Sequence, residues 1–267
     1  MARLVTIIGA PHRPSLPHQV AQAPGTLVAE GLLGEARQHL EAAAPEVLIE
    51  LATDHFTNFW YHNMPTFCVG LIDEAPGPEP STVMPRRVVQ GHPQLAHDLL
   101  QFGLGAGFDL SSTHELLLDH SIMVPLHFLT PAMQTPVVPL YTNGIAPPFP
   151  TAERCLQLGR MLGRFIDGWD SNARVGLVIS GSFALEVGGP KVGWTDQEWV
   201  DTVVGQLARA HYDDLAKQAT YARMARAGNA SGELLNWILA TGAAGDVRPV
   251  FLEDDKDGNG YAAWRLD

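Results

Sequence analysis

Residues 47–67 read VLIELATDHFTNFWYHNMPTF, and the change from apolar to polar residues within this stretch indicates the fold class. VLIELA (47–52) is a short, strongly apolar run, which is typical of a strand buried inside a sheet. Polar residues follow immediately, and His55 and His62 lie among them. A buried strand followed by such a loop is typical of α/β proteins, in which ligands collect beyond strand ends. The two histidines are packing residues, loop residues or metal ligands, and the rest of the chain must decide between these.

Similar apolar runs alternate with helical segments along the chain. Further strands are predicted at LVTIIGA (4–10), TFCVGL (66–71), VVPLYT (137–142), VGLVIS (175–180) and RPVFLE (248–253). Helices are predicted at 26–44, 93–103 and 152–168, after a capping box TDQE (195–198) with Thr195 as N-cap, and at 231–242, with Ser231 as cap and Gly242 as stop. Residues 73–93 are predicted to form a surface loop. This alternation favours a single α/β domain over residues 1–267, with helices covering a central sheet.

Composition and charge exclude several classes of protein. The 267 residues include 17 basic and 29 acidic side chains, a formal net charge of −12, which makes nucleic acid or an anionic membrane a poor partner. No apolar run approaches the roughly 20 residues of a membrane span. The N-terminus reads as a strand and not as a signal peptide. Cys68 and Cys155 are expected to be buried thiols without a disulfide, which suits a cytoplasmic location.

Two histidines follow predicted strands. His12 lies in GAPHRP after the first strand, and His55 lies in ATDH after the second. Ligands in open α/β sheets gather outside the carboxyl ends of strands, so these two side chains are expected to converge. Two imidazoles and one carboxylate form a triad suited to Fe(II) and oxygen chemistry. Glu233 is a candidate carboxylate, although an acid in the first turn of a helix also stabilises the helix dipole, and the pattern alone leaves both possibilities open.

Five segments, in chain order, resemble the class III (LigB-type) extradiol ring-cleavage dioxygenases, the family of the protocatechuate 4,5-dioxygenase β-subunit. They are GAPHRPSLP (9–17), DHFTNFWYHNMPTFCVG (54–70), LDHSIMVPL (118–126), PVVPLYTNGIAPPFPTAERCLQLG (136–159) and GELLNWILATGA (232–243). Each segment alone is a weak signal, but all five occur in the family's order. The resemblance implies a LigB-like α/β fold with a central mixed β-sheet covered by helices. It also implies Fe(II)-dependent insertion of O2 into a catechol-like ring beside the two chelating oxygens.

The resemblance also implies roles for individual residues. His12, His55 and Glu233 match the family's Fe(II) ligands, whereas His62 falls on a position that the family does not use for iron. His120, in LDHS, matches a histidine beside the iron and is the catalytic candidate. Substrate-binding candidates in the pocket are Asn58, Ser182 and Phe183, of which Phe183 could stack on an aromatic ring.

One departure from the family pattern concerns proton transfer. The family carries a G-G-x-S-H segment after the strand predicted at 175–180, and its histidine is the active-site acid/base. Here the stretch is SGSFALEVGGPKVG (180–193), so the histidine position falls on Phe183 or Leu185. Neither side chain can carry a proton.

Three interpretations of this departure remain open. The substrate has a more acidic hydroxyl or a ring nitrogen, as in an aminophenol or hydroxypyridone; or His120 or His62 transfers the proton; or the chain is a non-catalytic partner subunit of such a dioxygenase. A Zn²⁺ hydrolase on a similar scaffold is a further alternative class. The chain is expected to form a homo-oligomer, or a hetero-oligomer with a related or small subunit.

Two further features of the sequence concern metal binding and substrate recognition. DKDGNG (255–260) resembles the start of an EF-hand loop, but Leu266 occupies the twelfth position in place of Glu, so a tight turn before a terminal strand is expected. Recognition of a substrate carboxylate would need an arginine in the pocket, and Arg13 is the candidate for that role.

Overall fold

Residues 1–266 are described by a computed structural model, in which eight strands form one mixed sheet and two more form a hairpin. The strands are β1 (Arg3–Ala10), β2 (Val47–Ala52), β3 (Phe67–Gly70), β4 (Glu74–Gly77), β5 (Arg87–Gln90), β6 (Ser111–Thr113), β7 (Val137–Thr142), β8 (Arg174–Ser180), β9 (Phe251–Asp254) and β10 (Gly260–Arg265). The helices are α1 (Leu16–Gln22), α2 (Val28–Ala43), α3 (Pro93–Gly105), α4 (His120–Leu129), α5 (Ala152–Gly168), α6 (Gln197–Arg209), α7 (Tyr212–Gln218), α8 (Tyr221–Ala227) and α9 (Leu234–Ala244).

The strand order of the large sheet is β6-β3-β7-β2-β8-β1-β10-β9. Its four central strands are parallel, since β8 pairs in parallel with both β1 and β2, and β2 pairs in parallel with β7. Antiparallel pairs flank this centre, between β3 and β7 on one side and between β1 and β10 on the other. The carboxyl ends of β1, β2, β7 and β8 therefore lie along one edge of the sheet, where α/β proteins bind ligands.

Helices cover both faces of the sheet, as expected. Successive strand residues point to opposite faces, so Ile7 and Ile49 pack with the layer of α3, α5, α6, α7 and α9, whereas Ile8 and Leu48 pack with α1, α2 and α4. Burial on both faces explains why the central strands read as continuous apolar runs. The chain is a single α/β domain with a mixed central sheet.

Four details differ from the sequence-based expectations. Residues 73–93 contain the β4–β5 hairpin and are not an unstructured loop. Asp196, and not Thr195, caps α6, since its carboxylate accepts the Trp199 N–H at 3.1 Å. Only residues 251–253 of RPVFLE lie in a strand, β9, and DKDGNG forms the turn between β9 and β10, as expected of that motif.

The fourth difference lies at both ends of α9. Ser231 lies in a 3₁₀ turn (Ser231–Glu233) and makes no side-chain cap; its Oγ accepts the Leu185 N–H instead. Gly242 does not end the helix, which continues to Ala244. A side chain at Gly242 would collide with the backbone of α5 at the Leu156 carbonyl, so this glycine permits the two helices to pack closely. The terminating residue is Gly245, with φ +64°.

Cys68 and Cys155 are both buried and unbonded to each other, as predicted. Within residues 1–266, none of the helices combines the length and the apolar character that crossing a membrane requires.

Candidate metal centre

His12, His55 and Glu233 meet at the carboxyl edge of the sheet. His12 lies just after β1, His55 just after β2, and Glu233 at the start of α9. Strands β1 and β2 are not neighbours, because β8 runs between them. Their loops nevertheless converge beyond the end of β8, and the two imidazole centroids lie 4.9 Å apart.

The Glu233 carboxylate bridges the two imidazoles. Its Oε1 lies 3.2 Å from Nε2 of His12 and 3.2 Å from Nε2 of His55, while Oε2 accepts the Ser182 N–H at 2.9 Å. Gly181 makes this approach possible, since a Cβ there would lie 2.9 Å from Cβ of Glu233. Its φ of +146° is also a conformation that a glycine adopts without strain.

The outer nitrogen of each imidazole is held by a hydrogen bond. The Ser180 hydroxyl donates to the Ser121 carbonyl, so its oxygen accepts from Nδ1–H of His12 at 2.8 Å. Nδ1 of His55 lies 3.2 Å from Oδ2 of Asp119. Such partners fix the tautomer and ring orientation of metal-binding histidines. Both Nε2 atoms are thereby directed toward Glu233.

Buried charges in this cluster stabilise one another. Burial opposes ionisation of Asp119, but hydrogen bonds from His55 and Ser121 hold its pKa below the ordinary value. The pKa of Glu233 is likewise depressed despite burial, because His12 and His55 contact it. Burial alone would lower the pKa of His55, but Asp119 and Glu233 outweigh it and raise that pKa to about 10. Without a metal, the cluster therefore holds a proton on His55.

The donor set fits a divalent metal ion. Metal bonds to imidazole nitrogen and carboxylate oxygen are about 2.1 Å long, so adjacent ligands of an octahedral ion lie about 3.0 Å apart. The two contacts of Glu233 Oε1 with imidazole nitrogens, 3.2 Å each, match that spacing. Two imidazoles and one carboxylate on a single face leave the other coordination positions open to substrate. Ligand atoms of His12, His55 and His120 also lie within 4.8 Å of one another, so His120 is the other candidate for the third position.

His120 begins α4 and forms a pair with Glu79. Its Nδ1 lies 2.9 Å from Oε1 of Glu79, which also accepts hydrogen bonds from Thr82 and Ser81. Burial opposes charge on Glu79, but the bonds from His120 and Thr82 hold its pKa below the ordinary value. With Nδ1 occupied in this way, Nε2 of His120 is the nitrogen left for other partners. The His120 ring centroid lies 4.3 Å from that of His55.

A pocket of about 810 Å³ opens from this cluster. Its inner end is formed by His12, His55, His120, Ser182 and Glu233. The loop after β8 contributes Leu185, Glu186 and Val187, and the loop after β2 contributes Phe56 and Tyr61. Ser182, a predicted substrate-binding residue, lines this pocket and contacts Glu233 through its backbone N–H.

Two substrate-binding predictions are contradicted. Phe183 is fully buried and packs edge-on against Trp237, with ring centroids 4.7 Å apart, so it cannot stack on a ring in the pocket. The Asn58 amide donates to Asp54 at 2.6 Å and to the Leu117 carbonyl, and accepts the Leu117 N–H. Its polar atoms are thus used to hold the loop, and neither Asn58 nor Phe183 lines the pocket. His62 is exposed and does not line it either.

Several residues of the site were missed by sequence reasoning. Asp119 caps α4 and orients His55, and an Asp just before a helix is a recognisable capping signal. Asp54 accepts backbone N–H groups of Thr57, Asn58 and Phe59, which shapes the loop after His55. Glu79 carried no such signal, because its partner His120 is 41 residues away.

Comparison with known proteins defines the class to which this fold and site belong. Residues 6–264 match the family model described as the catalytic LigB subunit of aromatic ring-opening dioxygenase. The chain belongs to this LigB family.

Individual relatives share part of this similarity. A 2,3-dihydroxyphenylpropionate/2,3-dihydroxicinnamic acid 1,2-dioxygenase of Pseudomonas putida is 34% identical over 171 residues, which cover 64% of this chain and 53% of that protein. The enzyme of the same name from Klebsiella pneumoniae is 31% identical over 176 residues, covering 66% and 54%. These matches thus span about half the length of each relative. A crystal structure of an uncharacterized protein from Escherichia coli K12 has the same fold, with a TM-score of 0.64, 15% identity and coverage of 98% of this chain and 100% of that one.

Proposed function

We propose that this protein is a non-haem Fe(II)-dependent extradiol dioxygenase, which inserts O2 into a catechol-like ring beside its two chelating oxygens. The observation that carries the proposal is the position of Glu233, whose Oε1 lies 3.2 Å from Nε2 of both His12 and His55 at the inner end of a large pocket. Membership of the LigB family supports the same reaction class. An aromatic diol and O2 are then the two substrates, and the free, buried thiols support a reducing compartment such as the cytoplasm.

In this proposal His12, His55 and Glu233 hold the iron. When bound, Fe(II) supplies the exchange of electrons between the substrate ring and O2. Ser180 and Asp119 hold the two imidazoles in the ligating orientation, and the Ser182 N–H holds the second oxygen of Glu233. These contacts fix the donor atoms before any metal arrives, which limits the reorganisation that binding requires.

His120 is proposed as the proton-transfer group. Glu79 accepts from Nδ1–H, which leaves the Nε2 lone pair free to take the proton of a substrate hydroxyl. The family's other histidine falls on Phe183, which is buried, or on Leu185, which lines the pocket, and neither side chain can carry a proton. General acid–base catalysis contributes typically 10²–10⁴-fold, and a single histidine that first accepts and then returns the proton supplies both steps.

The retained cluster argues against the partner-subunit alternative. A subunit that only supported an active homologue would need neither paired imidazoles oriented by Ser180 and Asp119 nor an ionised Glu79 beside His120. The pocket is also large enough for a substrate.

The test is O2 uptake by protein reconstituted anaerobically with Fe(II), against catechols, aminophenols and hydroxypyridones. The matched variants are His55→Ala and His62→Ala, which remove a proposed ligand and an exposed histidine from the same loop. Uptake with one ring class, lost only in His55→Ala, is the expected result. Stoichiometric iron binding without uptake on any ring would support the partner subunit, and hydrolysis with Zn²⁺ but no O2 uptake would support the hydrolase.

A further inference from the structure

The charges around the pocket do not favour an anionic substrate. Among the described residues that line it, Arg13 is the only arginine or lysine, and Glu186 is an additional acid. Two carboxylates lie beside the Arg13 guanidinium: Nη1 is 3.4 Å from Asp257 and Nη2 is 3.7 Å from Asp255, whereas among the described residues Nε has no hydrogen-bond partner. The charge of Arg13 is therefore offset by two neighbouring acids. Arg13 was the sequence-based candidate for binding a substrate carboxylate, and its surroundings argue against that role.

The acid nearest the protein interior is held firmly in place. The Asp255 side chain is 3% exposed and accepts hydrogen bonds from the Asn259 amide at 2.8 Å and the Tyr261 hydroxyl at 3.0 Å. It cannot turn away to release Arg13 without leaving those donors unpaired in a buried site, which is costly. A substrate carboxylate would have to compete with this fixed partner.

Most of the remaining wall of the pocket is apolar, and Ser15 and Asn229 are its polar members. Its side chains include Phe56, Tyr61, Ile145, Leu185, Val187 and Val192. Tyr61, Val187 and Val192 are 75%, 59% and 62% exposed, so they offer apolar surface to a ligand at the mouth. The volume of about 810 Å³ lies in the upper part of the range of roughly 300–1,000 Å³ that holds drug-sized ligands. A bare ring bound at the metal would leave much of this space unfilled.

We propose that the substrate is an aromatic diol with a bulky, uncharged apolar substituent, such as an aryl or alkyl group, and not a ring that bears a carboxylate. This inference rests on the proposed ring-cleaving function. The diol binds at the inner end beside His12 and His55, and the substituent lies along Leu185 and Ile145 toward Tyr61 and Val192. The relatives are named for 2,3-dihydroxyphenylpropionate, a ring whose side chain ends in a carboxylate, so the difference in specificity would lie in this outer wall.

The test compares matched substrates. The probes are 3-phenylcatechol, 3-(2,3-dihydroxyphenyl)propionate and the primary amide of that acid, which differs from it in charge and hardly in shape. Steady-state O2 uptake gives kcat/KM for each, and calorimetry on Zn(II)-loaded protein gives the dissociation constants without turnover. The variant is Asp257→Asn, whose side chain is 67% exposed, and the control is Asp214→Asn, an exposed acid on α7.

The expected result is a preference of about tenfold for the amide over the acid, with 3-phenylcatechol the best of the three. In Asp257→Asn the ratio of kcat/KM for the amide to kcat/KM for the acid should fall about threefold, because Arg13 loses one of its two acids. Asp214→Asn should leave this ratio unchanged. Preference for the acid, abolished in Arg13→Gln, would overturn the inference. Zn(II)-loaded protein that binds the amide more tightly, with no O2 uptake by the Fe(II) form, would uphold this specificity and refute the proposed reaction. Equal affinity for acid and amide would refute the inference alone.

Discussion

The family's acid/base histidine falls on one of two positions in this chain, Phe183 or Leu185. Of these two, Leu185 is the one that faces the pocket. The sequence could not decide whether the family's acid/base histidine falls on Phe183 or Leu185, since both follow the end of β8 within a few residues. In the structure Leu185 lines the pocket and Phe183 packs against Trp237 in the core. The two substitutions to histidine should consequently have opposite effects.

Leu185→His is expected to raise the turnover of plain catechol by about tenfold, because it restores a second proton-transfer group at the pocket wall. Phe183→His instead buries an imidazole against Trp237 and should cost about 3 kcal/mol of folding free energy. O2 uptake and urea unfolding separate the two effects. A gain of activity in Phe183→His with unchanged stability would mean that the family's histidine position corresponds to Phe183 and not to Leu185.

Glu79 is expected to act through His120. In Glu79→Gln the partner of His120 Nδ1 is a neutral amide, so the charge-assisted hydrogen bond that orients the imidazole is lost. We expect kcat to fall about 10–100-fold, as for other partners of functional histidines, with iron content unchanged. A purely structural role would instead lower thermal stability and leave kcat nearly unchanged. Ser81→Ala removes another hydrogen-bond donor to the same carboxylate and serves as the control.

At the scale of single elements, strand β2 contains a buried acid to which no role in metal or substrate binding is assigned. Glu50 is completely buried, and among residues 1–266 neither of its carboxyl oxygens has a hydrogen-bond partner. Burial, and secondarily the charge of Asp119, raises its pKa well above the ordinary value. The unfolded chain therefore releases this proton at lower pH than the folded protein, and folding stability decreases as pH rises above about 4.5.

Glu50→Gln should remove that dependence. Relative to the parent protein, the variant is expected to be more stable by about 1–2 kcal/mol at pH 8 and nearly equal at pH 4.5, because it has no carboxyl to ionise. Urea midpoints at the two pH values measure the difference. The idea fails if the variant is less stable than the parent at pH 8, which would mean that Glu50 has a favourable partner when charged.

The contact between α5 and α9 depends on glycine. An added methyl group at Gly242 meets the Leu156 carbonyl, which belongs to the backbone and cannot rotate away. Gly242→Ala should therefore cost about 1–3 kcal/mol, the usual cost of overpacking. Gly34→Ala lies in α2 with open space around it and should stabilise by about 0.5–1 kcal/mol. Thermal unfolding of both variants checks the contrast; equal destabilisation would contradict the role assigned to close packing.

The elements were more predictable than the contacts between them. The central strands and the longer helices were predicted within a few residues, because apolar runs and helical periodicity are local signals. The β4–β5 hairpin was missed because its strands lie in a Pro- and Gly-rich segment, whose composition is typical of a loop. Gly242 was misread as a helix stop because a glycine required by a neighbouring helix looks, in sequence, like one that ends a helix.

At the scale of the whole molecule, the site depended on long-range contacts. The convergence of His12 and His55 followed from strand ends, which is a property of the fold class. Glu79 and Asp119 come from segments far along the chain, and the sequence offered no reason to bring Glu79 to His120. Phe183 and Asn58 were expected in the pocket, but Phe183 packs against Trp237 and the Asn58 amide bonds to Asp54 and the Leu117 carbonyl.

Metal binding is expected to hold these distant segments together, and the affinity for the metal is expected to depend on pH. His12 and His55 follow strands β1 and β2, and Glu233 begins α9, so one ion would connect both histidine loops to a helix on the sheet. In the metal-free protein the pKa of His55 is about 10, and a metal must displace that proton. The pKa of His12 is lowered, chiefly by burial, so this histidine is already neutral and releases none near pH 7.

One proton should consequently be released per metal ion bound, and the apparent affinity should rise about tenfold for each unit of pH between 7 and 9. Mn²⁺ is the probe, because it stays soluble and does not oxidise over this range as Fe(II) does. Calorimetry in buffers of different ionisation enthalpy counts the protons, and the rise in thermal midpoint at fixed Mn²⁺ should be larger at pH 8 than at pH 6.5. His62→Ala should keep both effects, and His55→Ala should abolish the pH dependence together with most of the affinity. An affinity independent of pH would mean that His55 is neutral in the metal-free protein, and an unaltered affinity in His55→Ala would remove His55 from the metal site.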